Sequence, residues 1–273
     1  MARRVLIKVG GETIAGREDR RRFCEDLAAV RRTGAAVAVV HGGGPQATEL
    51  GQRLGIESVF RGGRRVTDEA TLEVVEMALV GRVGTELLAT ALGCGLPAVA
   101  LTAGSGRLVR GVRRPPRRVG GESEPVDFGL VADVEAVDGR LLETLWSGGF
   151  VPLLSPLVVD MAGDALNLNA DTLCSELASA LAFDDVVYVT GVAGVYGQLG
   201  DPSSHLAEVG RDEIAGLIER GAVRGGMIAK LEDIGALLDT GVPTVWIVGF
   251  DEELPVASAL SGAPGLRTAI RRR

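Results

Sequence analysis

Lysine is almost missing from this chain: of 29 basic residues among 273, only Lys8 and Lys230 are lysines, and each stands a few positions from a glycine pair. Arginine has replaced lysine nearly everywhere else. The two exceptions therefore point to places where a planar guanidinium does not substitute for a compact, flexible ammonium, such as a tight pocket around a phosphoryl group. By count alone, compositional drift that spared two positions explains them equally well.

Other scarcities exclude whole classes of function. Three cysteines, Cys24, Cys94 and Cys174, lie far apart without CxxC spacing, so neither a disulfide framework nor a zinc site is indicated, and a reducing cytoplasm is the expected setting. Aromatic residues make up only 4%, too few to interleave a basic surface with stacking rings for nucleic acid. A net charge of -7 argues in the same direction and against an anionic membrane. No apolar run is long enough to span a bilayer, and no signal-peptide core follows the N-terminus.

What is present suits a folded enzyme. The chain is 46% hydrophobic, sufficient for one large α/β domain or two closely joined lobes. Short β-branched runs at 5–9, 37–40, 97–101, 150–154, 186–190 and 244–248 alternate with helical patterns at 18–33, 45–54, 68–93, 138–148, 171–182, 211–220 and 226–240. This predicts a mainly parallel sheet with crossover helices. Residues 107–134 read instead as antiparallel strands carrying a surface hairpin, with a second hairpin across 157–167. No linker divides the chain, so both halves are expected to share one sheet, with a functional division near residue 183.

Glycine-rich turns follow the strands: Gly10-Gly11, Gly42-Gly43-Gly44, Thr102-Ala103-Gly104 and Thr190-Gly191. In an open parallel sheet the carboxyl edge is where ligands bind, and bare N–H groups beside helix N-termini cradle anions. Tight turns alone would also explain any one of these loops. No GxxxxGK[ST] is present, which excludes a Walker-type loop. Residues 42–47, GGGPQA, satisfy the dinucleotide pattern, but no acidic residue ends a strand about 20 positions later, so a dehydrogenase is a weak second reading.

Lys8, Asp171 and Lys230 supply two ammonium groups and a carboxylate, a set suited to phosphoryl transfer, where positioning and charge neutralisation carry the catalysis. Asp171 also suits a helix N-cap. Arg64 and Arg65, in a glycine-flanked turn, read as solvated arginines or as a fork for a carboxylate. His41 is expected to be satisfied by backbone, His205 to lie on the surface, and the run Arg110 to Arg118 to form a solvated hairpin.

In series, KVGG at 8–11, HGGGP at 41–45, RVTDEATLEVVEMAL at 65–79, NLNAD at 167–171, VTGVAGV at 189–195 and GGMIAK at 225–230 resemble the acetylglutamate kinases of the amino acid kinase family. The resemblance implies a three-layer αβα sandwich whose N-terminal lobe, 1–182, binds the acylated amino acid and whose C-terminal lobe, 183–273, binds ATP. It implies that Lys8 and Lys230 stabilise the transition state and that Asp171 organises them. Gly10, Gly11, Gly43 and Gly44 would donate backbone hydrogen bonds. Arg65 would grip the α-carboxylate of N-acetyl-L-glutamate, with Asn167 on its main-chain portion. Thr190, Gly191, Val192, Gly194, Gly226 and Met227 would seat ATP, accompanied by Mg²⁺ with no dedicated protein ligand.

The family reaction phosphorylates the γ-carboxylate on the way to arginine. Such a carboxylate, with a pKa near ~4.3, is already an anionic nucleophile at neutral pH and needs no general base. Gly191 stands where the family usually has Asp, and Ala229 where it has Pro. The C-terminal region lacks the family's His and DGR pattern, and no extra helix precedes the first strand, from which a homodimer insensitive to arginine is expected. A kinase acting on aminoadipate attached to an acidic carrier protein is the nearest rival, although such kinases resemble HGGSA and INTDGD at these places. A nucleotide-sensing protein without turnover is the rival of another class.

Overall fold

The chain, described over residues 2–263 and 265–272 of a computed structural model, opens with β1 (Arg4–Val9), α1 (Arg17–Arg32), β2 (Ala36–His41) and α2 (Gly44–Leu54). A small hairpin, β3 (Phe60–Arg61) and β4 (Arg64–Arg65), leads into α3 (Glu69–Glu76), a π-helical stretch over Met77–Gly84, and α4 (Thr85–Gly93). Then come β5 (Ala98–Thr102), β6 (Val109–Arg113), β7 (Ala132–Val137), α5 (Arg140–Ser147), β8 (Val151–Ser155), β9 (Leu157–Val159), β10 (Ala165–Asn167) and α6 (Ala170–Ala180). The remainder is β11 (Asp185–Thr190), β12 (Val195–Tyr196), β13 (His205–Leu206), β14 (Glu208–Gly210), α7 (Glu213–Glu219), α8 (Gly226–Asp239), β15 (Thr244–Gly249), α9 (Pro255–Ser261) and β16 (Arg267–Arg271).

One sheet runs through both halves in the order β14-β16-β15-β11-β1-β2-β8-β5. All its pairings are parallel except β15 with β16. The six strands read from the sequence are all in it. β14 and β16, too short and too polar to stand out, complete one edge. A second sheet, β10-β9-β6-β7, contains both expected antiparallel pairs, β6 with β7 and β9 with β10.

Pleating of β1 sorts its side chains into two layers. Val5, Ile7 and Val9 pack with Phe23 and Leu27 of α1, Leu87 of α4 and Val256 of α9. Leu6 packs on the opposite face with Leu142 of α5, Leu173 of α6, Leu217 of α7 and Leu231 of α8. Leu6 and Ile7 are wholly buried, and each contributes roughly 1.5–3 kcal/mol by leaving water. Helices on both faces of the sheet make the expected three-layer αβα sandwich. The same alternation turns Lys8 toward the layer that holds α6 and α8.

Two segments differ from their sequence reading. The stretch 68–93 is not one uniform helix, because its central Met77–Gly84 winds as a π-helix whose Leu79 and Val83 press on Gly43. The turn ahead of it is a hairpin: Gly62 (φ 52°) and Gly63 (φ 75°) take the two left-handed positions that a two-residue connection requires. After α2 the chain therefore enters this hairpin instead of returning to the parallel sheet, so GGGPQA lies outside any dinucleotide-binding βαβ unit.

Candidate active site

Beyond the carboxyl ends of β1 and β2 lies a cavity of about 360 Å³. Its walls include Lys8, Gly10, Gly11, Gly43, Gly44, Arg65, Asn167 and Asp171. Two glycine loops meet there backbone to backbone. A Cβ on Gly11 would stand 2.7 Å from the Gly43 Cα and 2.5 Å from Gln46 Oε1, so the approach tolerates no side chain. Gln46, buried on α2, holds the loop from behind by donating from Nε2 to the Gly11 carbonyl (2.7 Å). His41 is also buried, and its Nδ1 donates to the Gly42 carbonyl (3.0 Å) while burial lowers its pKa. That is the backbone-satisfied histidine expected.

Lys8 Nζ lies 3.0 Å from Asp171 Oδ1 in the first turn of α6. Asp171 is free for this because it is not the cap. Asn169 is, its Oδ1 accepting from the backbone N–H groups of Asp171 (2.8 Å) and Thr172 (3.0 Å). The capping role weighed for Asp171 thus belongs to Asn169, two residues earlier. Lys230, on the second turn of α8, places its Nζ 5.1 Å from the centroid of the Tyr188 ring. Tyr188 is the β11 neighbour of Lys8 in the sheet register, so both ammonium groups meet on one face of the sheet.

Burial is the main influence lowering the Lys230 pKa, and the like charge of Lys8 adds to it. Asp171 and Glu12 pull the other way. Cys174, enclosed beside this cluster, has its thiol pushed up to about 12 by burial and by the charge of Asp171. It is a packing residue with no nucleophilic character.

Arg65 is held from three sides. Its guanidinium donates to Ser58 Oγ, to Thr48 Oγ1 (2.8 Å) and to the Gly44 carbonyl (3.1 Å), and lies 4.8 Å over the Phe60 ring. These partners are neutral, so the fork keeps its positive charge for a ligand on the cavity wall. Asn167 ends β10 and donates from Nδ2 to Thr67 Oγ1 (3.1 Å).

The nucleotide-side residues gather less tightly. Thr190 closes its own turn, its Oγ1 donating to the Val192 carbonyl (2.8 Å) and accepting from the Val192 N–H (3.1 Å). Gly191 and Val192 are exposed and Gly194 is buried. Gly226 opens α8, and Met227 packs against the apolar core. Thr190, Gly191, Val192, Gly194, Met227 and Lys230 form no part of the cavity wall, although β11 adjoins β1 and sets the turn at 190–194 beside Gly10-Gly11.

Three other readings change. The Thr102-Ala103-Gly104 loop is a packing device, since a Cβ on Gly104 would stand 3.0 Å from the Val159 backbone nitrogen. His205 is half-buried, with Nε2 shielded from solvent. The basic run is solvated at Arg113, Arg117 and Arg118 as expected, but not at Arg114, and four of its arginines are paired. Arg110 pairs with Glu135 (2.9 Å), Arg113 with Asp127 (3.4 Å), and both Arg114 and Arg117 with Asp133. Arg114 is buried and reaches the cavity wall. Sequence reading also missed Glu12 and Asn169 on that wall. KVGGE and NLNAD carried the signal for both.

Among the described residues no three His, Cys, Asp or Glu side chains gather as a metal site. Glu12 and Asp171 are carboxylates beside the glycine cradle, a donor set that fits Mg²⁺ held chiefly through phosphate oxygens and water. None of the described helices is long and apolar enough to cross a membrane.

Known proteins resemble this chain in sequence and in fold. Acetylglutamate kinase of Anaeromyxobacter dehalogenans (strain 2CP-C) is 43% identical over 246 residues, covering 90% of this chain and 91% of that protein. The protein of the same name from Methanosarcina barkeri is 33% identical over 89% of this chain and 76% of its own length. Among solved structures, N-acetylglutamate synthase from Neisseria gonorrhoeae superposes with a TM-score of 0.84 at 20% identity, over 99% of this chain and 60% of that one. Carbamate kinase from Giardia lamblia does so with a TM-score of 0.71 at 16% identity, over 100% and 99%. Residues 3–249 match the profile of the Amino acid kinase family. With that match over most of its length and relatives at 33–43% identity, the chain belongs to the amino acid kinase family.

Proposed function

We propose that the chain transfers the terminal phosphoryl group of ATP to the γ-carboxylate of N-acetyl-L-glutamate, forming an acyl phosphate in arginine biosynthesis. The observation that carries this reading is Lys8 paired with Asp171 on the wall of a glycine-lined cavity that also holds the Arg65 fork, with Lys230 near enough to feel the charge of both. Arg65 receives the α-carboxylate, Asn167 the main-chain amide, and the N–H groups of Gly43 and Gly44 orient the γ-carboxylate. Lys8 and Lys230 offset the repulsion between that carboxylate and the triphosphate, and Asp171 keeps Lys8 in line. Gly10 and Gly11 offer N–H groups to the transferred group. Thr190, Gly191, Val192, Gly194, Gly226 and Met227 seat the nucleotide in the lobe beyond residue 183. Mg²⁺ on the phosphate oxygens would neutralise further charge.

The working form is a homodimer, built on the face of the π-containing helix that leaves Met77 (47%), Val80 (39%) and Leu92 (54%) exposed. Three free thiols suit the reducing cytoplasm as its place of work. Carrier-bound aminoadipate is disfavoured, because the arginines that would meet an acidic carrier are engaged by Glu135, Asp127 and Asp133.

An ATP-dependent hydroxamate assay offering N-acetylglutamate, free glutamate and carrier-linked aminoadipate side by side tests the reading. Turnover with N-acetylglutamate is the expected result. Turnover only with the carrier would replace the substrate, and none with any acceptor would leave a nucleotide-binding module.

A further inference from the structure

The turn on the nucleotide side is anchored by a hydroxyl from the end of the chain. Thr268, on β16, is fully buried. Its Oγ1 accepts from the Val195 N–H (2.8 Å) and donates to the Leu206 carbonyl (2.6 Å). One side chain thereby ties both arms of the β12–β13 hairpin to the main sheet and satisfies a donor and an acceptor removed from water. Gly194 sits directly before this anchor with φ 151°. A Cβ there would lie 2.5 Å from Thr268 Oγ1 and 2.8 Å from His205 Nε2.

His205 Nε2 is the unexplained atom of this corner. It is closed off from solvent and has no hydrogen-bond partner. Its ring stands nearly edge-on to Tyr196, with centroids 5.4 Å apart. Native proteins rarely leave such a nitrogen unpaired unless a second state supplies the partner. Among the described residues, the exposed Gly191 and Val192, two or more residues ahead of Gly194, are held only by the Thr190 hydroxyl of their own turn.

We propose that Thr268 and His205 are positioning residues for the nucleotide turn. Thr268 fixes its base, and His205 Nε2 is reserved for a hydrogen bond with the main chain of residues 191–194 when bound ATP draws the turn inward. The inference rests on the reading that ATP occupies this side. Neither residue touches the reacting atoms, so the effect belongs in nucleotide affinity and not in the chemical step.

The test compares the wild type with His205→Phe, His205→Gln, Thr268→Val and Thr268→Ser. Phe keeps the ring and removes the nitrogen, whereas Gln returns an amide group near the position of Nε2. Two readouts are taken on the full chain: separate KM values for ATP and N-acetylglutamate, and the shift in melting temperature caused by the magnesium complex of AMP-PNP. His205→Phe is expected to raise KM for ATP by about fivefold to tenfold, the size of one lost hydrogen bond, with KM for the acid and the ligand-free melting temperature unchanged. Gln and Ser should restore most of the loss. Should Thr268→Val fail to fold, the His205 pair alone decides. An equal AMP-PNP shift in the wild type and His205→Phe overturns the inference while leaving the ATP reading standing. Absence of any shift in the wild type overturns both.

Discussion

At the scale of single residues, the proposed site gathers two ammonium groups and a carboxylate under partial burial. Lys230 is half-buried, and burial together with Lys8 makes its proton easier to lose than that of an ordinary lysine. The charged form is the useful one. Activity should therefore fall on the alkaline side as pH rises through a value below 10.5, the ordinary lysine value. In a pH profile of kcat, the residual activity of Lys230→Arg should lack that limb, because guanidinium does not titrate there. Arg65, with its neutral supports, is in the proposed reading a binding fork. Arg65→Lys should raise KM for N-acetylglutamate about 10-fold or more while changing kcat little, since two parallel bonds to a carboxylate become one. A changed kcat with an unchanged KM would remove Arg65 from the α-carboxylate.

At the scale of elements, small caps set the reach of the catalytic groups. Asn169 fixes the first turn of α6 and with it Asp171, so Asn169→Ala should cost about 1 kcal/mol in urea unfolding and also lower kcat. A second cap joins distant elements: Asp26 of α1 accepts from the N–H groups of Val256 (2.8 Å) and Ala257 (2.9 Å) at the start of α9. Burial raises its pKa from 3.8 to about 6, against the lowering effect of those two bonds. A folded value above the unfolded one means that this site's contribution to stability is full below pH 3.8 and fades as pH rises to about 6. Urea titrations of Asp26→Asn across that window should lack the wild-type decline.

The short β-branched apolar runs made the parallel strands readable, because a strand buried on both faces declares itself by composition. β14 and β16 were hidden because Glu208 and Arg267 give their short runs a polar look, and only the pairing of β16 with β15 and of β14 with β16 defines the edge. The Gly62-Gly63 hairpin carried a readable signal. The π-turn at Met77–Gly84 did not, because it depends on packing against Gly43. Lys8, Asp171 and Lys230 were legible as motifs, whereas Arg114 and His205 were misplaced, since neither Asp133 nor Thr268 is near them in sequence.

At the scale of the whole molecule, one sheet joins the glycine loops after β1 and β2 to the turn after β11, so in the proposed reading Lys8 from one half and Lys230 from the other act across a single frame. The exposed face of the long helix should hold two copies together. Light scattering is expected to give twice 28.4 kDa, and Met77→Asp combined with Val80→Asp should give the monomer. A wild-type monomer would remove the dimer from the account. The central claim is that both ammonium groups neutralise charge as it develops during phosphoryl transfer. Steady-state kinetics of Lys8→Arg and Lys230→Arg, each checked for an unchanged circular dichroism spectrum, test it most directly. The account predicts a fall in kcat of about 10²-fold or more for each, with N-acetylglutamate KM nearly constant. A kcat within a few-fold of wild type for either folded variant would contradict it.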